Sequence, residues 1–145
     1  MEFSIRDNRK VKLLRYSHEY RLNLLAYLDE LSSESRSRFG PHPYSLEGID
    51  KIFYSKPEVN GFIAIDDITG HIIAYSLIMP GYLEADGFRF NEYGTKPPGP
   101  EVCTFAPSVA DNWQSSGLGS RMFEFILEEI RYSGFKRMVL WGGVQ

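Results

Sequence analysis

A glycine-rich turn between two apolar segments constrains this chain more than any other stretch. Val102 to Val109 reads as an extended segment, Gln114-Ser115-Ser116-Gly117-Leu118-Gly119 as a turn, and Leu118 to about Ser133 as an amphipathic helix. Leu118, Met122, Ile126 and Ile130 recur every four residues, with Phe123 and Leu127 alongside, which makes one broad apolar face. Arg121, Glu124, Glu128, Glu129 and Arg131 fall mostly on the other side. Gly134 follows the last periodic residue, where a helix end commonly needs a left-handed conformation. Met138-Val139-Leu140-Trp141 then reads as a short buried strand. The unit is therefore strand, loop, helix, parallel strand, since a helical crossover is what joins parallel strands.

A turn of this kind aims several backbone N–H groups at one point. The helix N-terminus adds about half a positive charge there, so the place suits a phosphate or pyrophosphate. Glycine belongs there because a Cβ would block the anion and disfavour positive φ. Gln114 and the Ser120 hydroxyl are further donors, whereas Arg121 reads more readily as a solvated helix charge. Glycine spacing alone is a weak signal, and the ordered strand, loop, helix and strand give it weight. The loop lacks the Lys of a P-loop, and no first-strand dinucleotide pattern occurs, so a nucleotide-binding βαβ unit is the weaker reading.

Upstream, Val11 to Tyr16 reads as a first strand. Ser17 can cap the helix after it, with Glu19 in the first turn and Leu24, Leu25, Leu28 and Leu31 on the inner face. Ser32 to Arg38 begins a second helical region that Gly40-Pro41-His42-Pro43 interrupts. Ser45 can cap a short helix through Ile49, Ile52 and Phe53. Phe62 to Ile65 and Ile72 to Ile78 read as two strands of a hairpin, turned by Asp66-Asp67-Ile68-Thr69-Gly70. Between Pro80 and Pro100, glycines, prolines and aromatic residues make a long irregular loop. It reads equally as the lining of an acceptor pocket and as a packed surface loop. No internal repeat or linker occurs, so residues 1–145 form one domain.

Composition excludes several classes. At 43% hydrophobic and 14% aromatic residues the chain can build a core. A net charge of −3, with both signs mixed, offers no basic patch for nucleic acid. No apolar run approaches the ~18 residues of a membrane span, and Met1-Glu2-Phe3-Ser4 is not a secretory signal. Cys103 is the one cysteine, which excludes an internal disulfide and fits a reducing, cytoplasmic setting. In an apolar strand it reads as a small buried hydrophobe rather than a nucleophile. His18, His42 and His71 are scattered, make no metal signature and read as structural, so no metal is expected.

The stretch Val109-Ala110-Asp111-Asn112-Trp113-Gln114-Ser115-Ser116-Gly117-Leu118-Gly119-Ser120 resembles motif A of the GNAT N-acetyltransferases, whose signature is Gln/Arg-x-x-Gly-x-Gly/Ala after a strand that commonly ends in Val. The match occupies about the last third of the chain. Leu31-Ser32-Ser33-Glu34-Ser35, then Arg38-Phe39, is similar to the first helical region of the bacterial protein-lysine acetyltransferase domains. The resemblance implies an α/β (α+β) fold of the acyl-CoA N-acyltransferase kind, with a mixed central sheet flanked by helices. It implies acetyl-CoA as co-substrate and direct attack by a primary amine in a ternary complex. The pantetheine arm would lie along Pro107, Ser108 and Val109. Gln114, Ser115, Ser116, Gly117, Leu118, Gly119 and Ser120 would hold the pyrophosphate.

The resemblance also exposes departures. In the protein-lysine branch a Glu commonly sits on the central strand, and the matching position here is Thr104, which cannot act as a base at neutral pH. Glu101 is the nearest carboxylate and the candidate base, although strand alternation sets it on the face opposite Thr104. The loop carboxylates Glu84, Asp86 and Glu92 are alternatives. A further helix and strands, carrying an Asn and a Tyr, normally follow the second strand of motif A. This sequence ends at Gly142-Gly143-Val144-Gln145, which implies a fold cut short after that strand, or a natural short form. An acyl-CoA-binding module without turnover is therefore the alternative to an enzyme. The strand edge and Trp141 would need cover, for which a homodimer would serve. The amine acceptor, small molecule or protein, is left open.

Overall fold

A computed structural model describes residues 2–4, 9–55, 58–80, 102–131, 133–135 and 137–140. Its frame is a six-stranded sheet whose spatial order follows the chain. The strands are β1 (Glu2–Ser4), β2 (Lys10–Arg15), β3 (Asn60–Asp66), β4 (Ile72–Pro80), β5 (Val102–Val109) and β6 (Arg137–Leu140). Neighbours are antiparallel except for β5 and β6, which run parallel. The helices are α1 (Arg21–Glu30), α2 (Ser33–Arg38), α3 (Leu46–Ser55) and α4 (Leu118–Ile130). This is the mixed, helix-flanked sheet that the motif resemblance implies.

Strand alternation divides the apolar residues between two cores. Val11, Leu13, Phe62, Ala64, Cys103 and Phe105 point to the side where α4 lays Leu118, Met122 and Ile126. Ile63, Tyr75, Leu77 and Ala106 point to the other, where α1 and α3 bring Leu24, Leu28, Ile49 and Ile52. β4 lies at the middle and is buried on both faces from Ile72 to Met79. That explains why its sequence is a continuous apolar run rather than an alternation. Its one serine, Ser76, sets its hydroxyl 3.7 Å from Met122 Sδ. The β3–β4 register passes from Ala64↔Ala74 to Ile65↔Ile72, so Ile73 is the extra residue of a bulge. It packs with Ala74 on the α4 side, out of alternation.

Several local expectations change in detail. Ser17 precedes a short 3-10 turn at His18–Tyr20 and makes no cap bond; its hydroxyl bonds Glu19 Oε1 at 3.1 Å, and α1 starts only at Arg21. The cap fails because the first turn tightens and the neighbouring carboxylate competes for the hydroxyl. Ser32 does cap α2, accepting from Ser35 N, and Ser45 accepts from Gly48 N at 3.0 Å. Gly134 takes φ 91°. On α4 the buried stripe is narrower than its sequence suggests. Phe123 and Leu127 are 36% and 41% exposed, while Phe125 is half-buried against Phe62. The expected burial of β6 is not found among its described residues: Arg137 and Leu140 are exposed, and Met138 and Val139 are half-buried. Among the described residues β6 has a strand neighbour on one side only, so less of it is covered.

Candidate functional site

The site lies along the end of β5. β4 pairs with β5 from Cys103 to Val109, and β6, described as far as Leu140, pairs with Val102 to Phe105. Beyond Phe105 the β6 side of β5 carries no strand among the described residues. Ala110 N–H donates to Ile73 O at 2.8 Å. By alternation the backbone groups of Ser108 and Ala106 also face β4, and those of Pro107 and Val109 face the open side. Pro107 can offer only a carbonyl. The Val109 carbonyl accepts from Gln114 Nε2 at 3.1 Å, which leaves its N–H directed outward. The open edge thus presents an acceptor at Pro107 and a donor at Val109, the spacing with which a strand holds an extended amide-bearing chain. Of the three strand residues expected to contact a pantetheine arm, Ser108 turns its backbone inward. Its hydroxyl donates to Tyr75 O at 2.7 Å and accepts from Tyr27 OH at 2.9 Å.

After β5, a 3-10 turn at Asp111–Trp113 buries the Trp113 indole in the α4-side core, with the Arg9 guanidinium stacked 3.8 Å from its ring. The loop then reverses through two left-handed residues, Ser115 at φ 61° and Gly117 at φ 92°. Between them the buried Ser116 hydroxyl donates to Trp113 O at 2.5 Å and accepts from Leu118 N at 3.3 Å. Ser116 and the Leu118 side chain therefore brace the loop from inside, and Leu118 N–H points to that hydroxyl. Gln114, Ser115, Gly117, Gly119 and Ser120 are the exposed members of the expected cradle. Gly117 is the N-cap of α4, and its carbonyl takes the first helical bond, from Arg121 N at 3.2 Å. The N–H groups of the turn above it have no carbonyl partner within the helix.

Gly119 is the most telling residue of the loop. It lies inside α4, outside the positive-φ set of Gly70, Gly117 and Gly134, so its conformation does not demand glycine. A Cβ there would meet only Val109 Cγ2, at 3.9 Å, so packing does not demand glycine either. A Cβ on Gly117 would meet no atom within 4 Å. Alanine at position 119 would favour the helix by about 1 kcal/mol. The remaining physical reason for glycine is open space in front of the helix N-terminus, where an anion can approach the backbone.

A third part of the site comes from α2. The Asp111 carboxylate accepts from Ser32 N at 2.8 Å, Ser32 Oγ at 3.2 Å and Ser35 Oγ at 2.5 Å. The Ser35 hydroxyl above all, together with the Ser32 groups, holds the Asp111 carboxyl below the ordinary range of an aspartate. Gln114 Nε2 lies 3.3 Å from Ser35 Oγ and 3.4 Å from Asp111 Oδ1. The Gln114 amide is therefore engaged within the protein. Ser35, Phe39, Pro107, Ser108, Val109 and Gln114 line a cavity of about 250 Å³ that runs along the open edge. A larger one, about 400 Å³, lies elsewhere on the Asp111–Trp113 turn, between α1 and the β3–β4 turn, and includes neither Gly117 nor Gly119.

The acid–base candidates are less complete. Thr104 is fully buried, and strand alternation turns it to the α1–α3 side, while Cys103 faces α4, where burial pushes its thiol pKa up. Glu101, Glu84, Asp86 and Glu92 lie outside the described residues, as does Trp141. Arg121 sits 3.6 Å from Glu124 on the solvated side of α4. His42 is buried: Nδ1 lies 2.8 Å from Pro43 O and Nε2 2.8 Å from Tyr75 OH. A carbonyl can only accept, so Nδ1 carries the proton and Nε2 accepts from Tyr75; desolvation lowers the His42 pKa. The described residues contain no group of three His, Cys, Asp or Glu side chains that could hold a metal. No helix among them is long and apolar enough to cross a membrane.

No protein-family model matches this sequence, and no curated protein matches it. Solved structures do. The GNAT domain of S. lividans PAT superposes with a TM-score of 0.71 at 18% identity, over 97% of this chain and 76% of that one. An acetyltransferase of the GNAT family from Streptococcus pneumoniae gives 0.62 at 14% identity, over 90% and 73%. A GNAT family acetyltransferase from Brucella melitensis, in complex with acetyl-CoA, gives 0.60 at 17% identity, over 92% and 77%. The fold of this chain is that of the GNAT acetyltransferases.

Proposed function

We propose that this chain binds acetyl-CoA and transfers its acetyl group to a primary amine. One observation carries the reading: Gly119, which neither backbone nor packing requires, keeps the start of α4 open beside the cavity that runs along Pro107 to Val109 of β5. The N–H groups of Gly117, Gly119 and Ser120 would hold the pyrophosphate. Val109 N–H and Pro107 C=O would hold the amides of the pantetheine arm. The Brucella melitensis neighbour, in complex with acetyl-CoA, supports this choice of ligand. Acetyl-CoA supplies an activated thioester. In the transfer the acceptor nitrogen forms a C–N bond to the acetyl carbon, the C–S bond breaks, the amine loses a proton and the thiolate gains one. Thr104 is buried and cannot take that proton at neutral pH, so we assign the base to Glu101. Glu101→Gln should lower kcat while leaving the Kd for acetyl-CoA unchanged.

Calorimetric titration with acetyl-CoA tests the binding step. Micromolar affinity in the parent, lost in Gly119→Glu, is expected; a folded parent that does not bind overturns the reading. Thr104, at the place of a catalytic carboxylate, favours a second reading, an acyl-CoA-binding module without turnover. Thiol release with a panel of amines separates the two, because a module of that kind binds and releases nothing.

A further inference from the structure

We propose that Asp111 is a positioning residue that clamps α2 against the open edge of β5 and so sets the width of the pantetheine groove. The inference rests on the acetyl-CoA reading and deepens it. α2 is six residues long, with the sequence SESRSR, so it has no apolar face of its own. A helix that short does not hold in isolation. Two polar ties and one anchor fix it. Arg36 reaches back to the end of α1, donating to Leu31 O at 3.0 Å, Leu28 O at 3.2 Å and Asp29 O at 2.7 Å. Phe39, just beyond α2, is buried in the α1–α3 core. These join α2 to α1 and to the core, but neither joins it to the loop that leads into α4.

Asp111 makes that connection. Both carboxylate oxygens are used: Oδ2 accepts from the Ser32 amide, and Oδ1 from the Ser32 and Ser35 hydroxyls. Gln114, also within reach of Ser35 and Asp111, closes the wall onto Val109 O. Ser35, Gln114 and Val109 all line the groove, so the clamp spans its two sides. A carboxylate suits this place because every group converging on it is a donor. An amide could accept from the Ser32 N–H on one side only, and its NH₂ would then meet the Ser32 and Ser35 hydroxyls, whose protons would have to turn away. Because Arg36 and Phe39 hold α2 independently, loss of the carboxylate should widen the groove without unfolding the chain.

The test compares the parent, Asp111→Ala and Asp111→Asn, titrated with two probes: acetyl-CoA, and a fragment of it that ends at the pyrophosphate and lacks the pantetheine arm. D111A should raise the Kd for acetyl-CoA about tenfold and that of the fragment by less than about twofold, with D111N between parent and D111A. In the free protein, amide exchange at Ser32 and Ser35 should speed up in D111A. An unchanged acetyl-CoA Kd, or an equal rise for both probes, overturns the clamp. If the parent binds acetyl-CoA and D111A matches it, the clamp alone fails. If the parent binds neither probe, the acetyl-CoA reading fails and takes the clamp with it.

Discussion

Gly119 and Ser116 sit three positions apart and carry the same sequence signal, yet they take opposite roles. Both fall in the glycine-rich stretch and both could be read as anion ligands. Ser116 is turned inward between Trp113 O and Leu118 N, whereas Gly119 faces open space. Ser116→Ala should therefore cost about 1–2 kcal/mol, read by urea unfolding, since it leaves two polar groups without a partner. Gly119→Ala should leave stability unchanged or raise it by up to about 1 kcal/mol while weakening acetyl-CoA binding. A parallel loss of both would mean that the glycine is structural. His42 supplies a pH dependence. Burial lowers its pKa in the folded chain, so as pH falls below about 6.5 the unfolded chain takes up a proton that the folded one resists. This contribution is complete above that pH and is lost progressively below it. Between about pH 7.5 and about pH 5.5 the parent should lose more stability in urea than His42→Gln does.

At the scale of elements, the period of α4 was readable but the width of its buried stripe was not. Leu118, Met122 and Ile126 meet the sheet, while Phe123 and Leu127 lie at the margin. Leu118→Ala should cost about 3 kcal/mol and Leu127→Ala less than about 1 kcal/mol, a contrast that denaturant unfolding would resolve. Equal costs would mean that α4 sits rotated from this packing. The start of α2 was readable as a helical region opening at Ser32, because that signal is local; the Ser32 cap bond itself came from the structure. The attachment of α2 was not readable, because Asp111 lies 79 residues further along the chain than Ser32. The bulge at Ile73 was hidden for a related reason: in a continuous apolar run, one residue out of alternation leaves no trace in the pattern.

For the molecule as a whole, a single sheet serves two cores, one under α4 and one under α1 and α3. Since β3, β4 and β5 contribute to both, neither core should melt without the other. Tryptophan fluorescence in a Trp141→Phe background, which senses Trp113 on the α4 side, and near-ultraviolet circular dichroism in the tyrosine region, to which Tyr27 and Tyr75 on the other side contribute, should give coincident transitions in urea. Two separated transitions would show that the halves fold independently. The sequence by itself determined what depends on neighbours a few residues apart: the β3–β4 hairpin, the helical period of α4, the cap at Ser45, and the glycine turn that opens α4. Only the tertiary structure decided which N–H groups of that turn face outward and which partners Asp111, Ser108 and His42 take. Periodicity and turn chemistry are written within single elements. The open edge, the Asp111 clamp and the His42–Tyr75 contact arise where elements distant in the chain meet, and their geometry is set by packing.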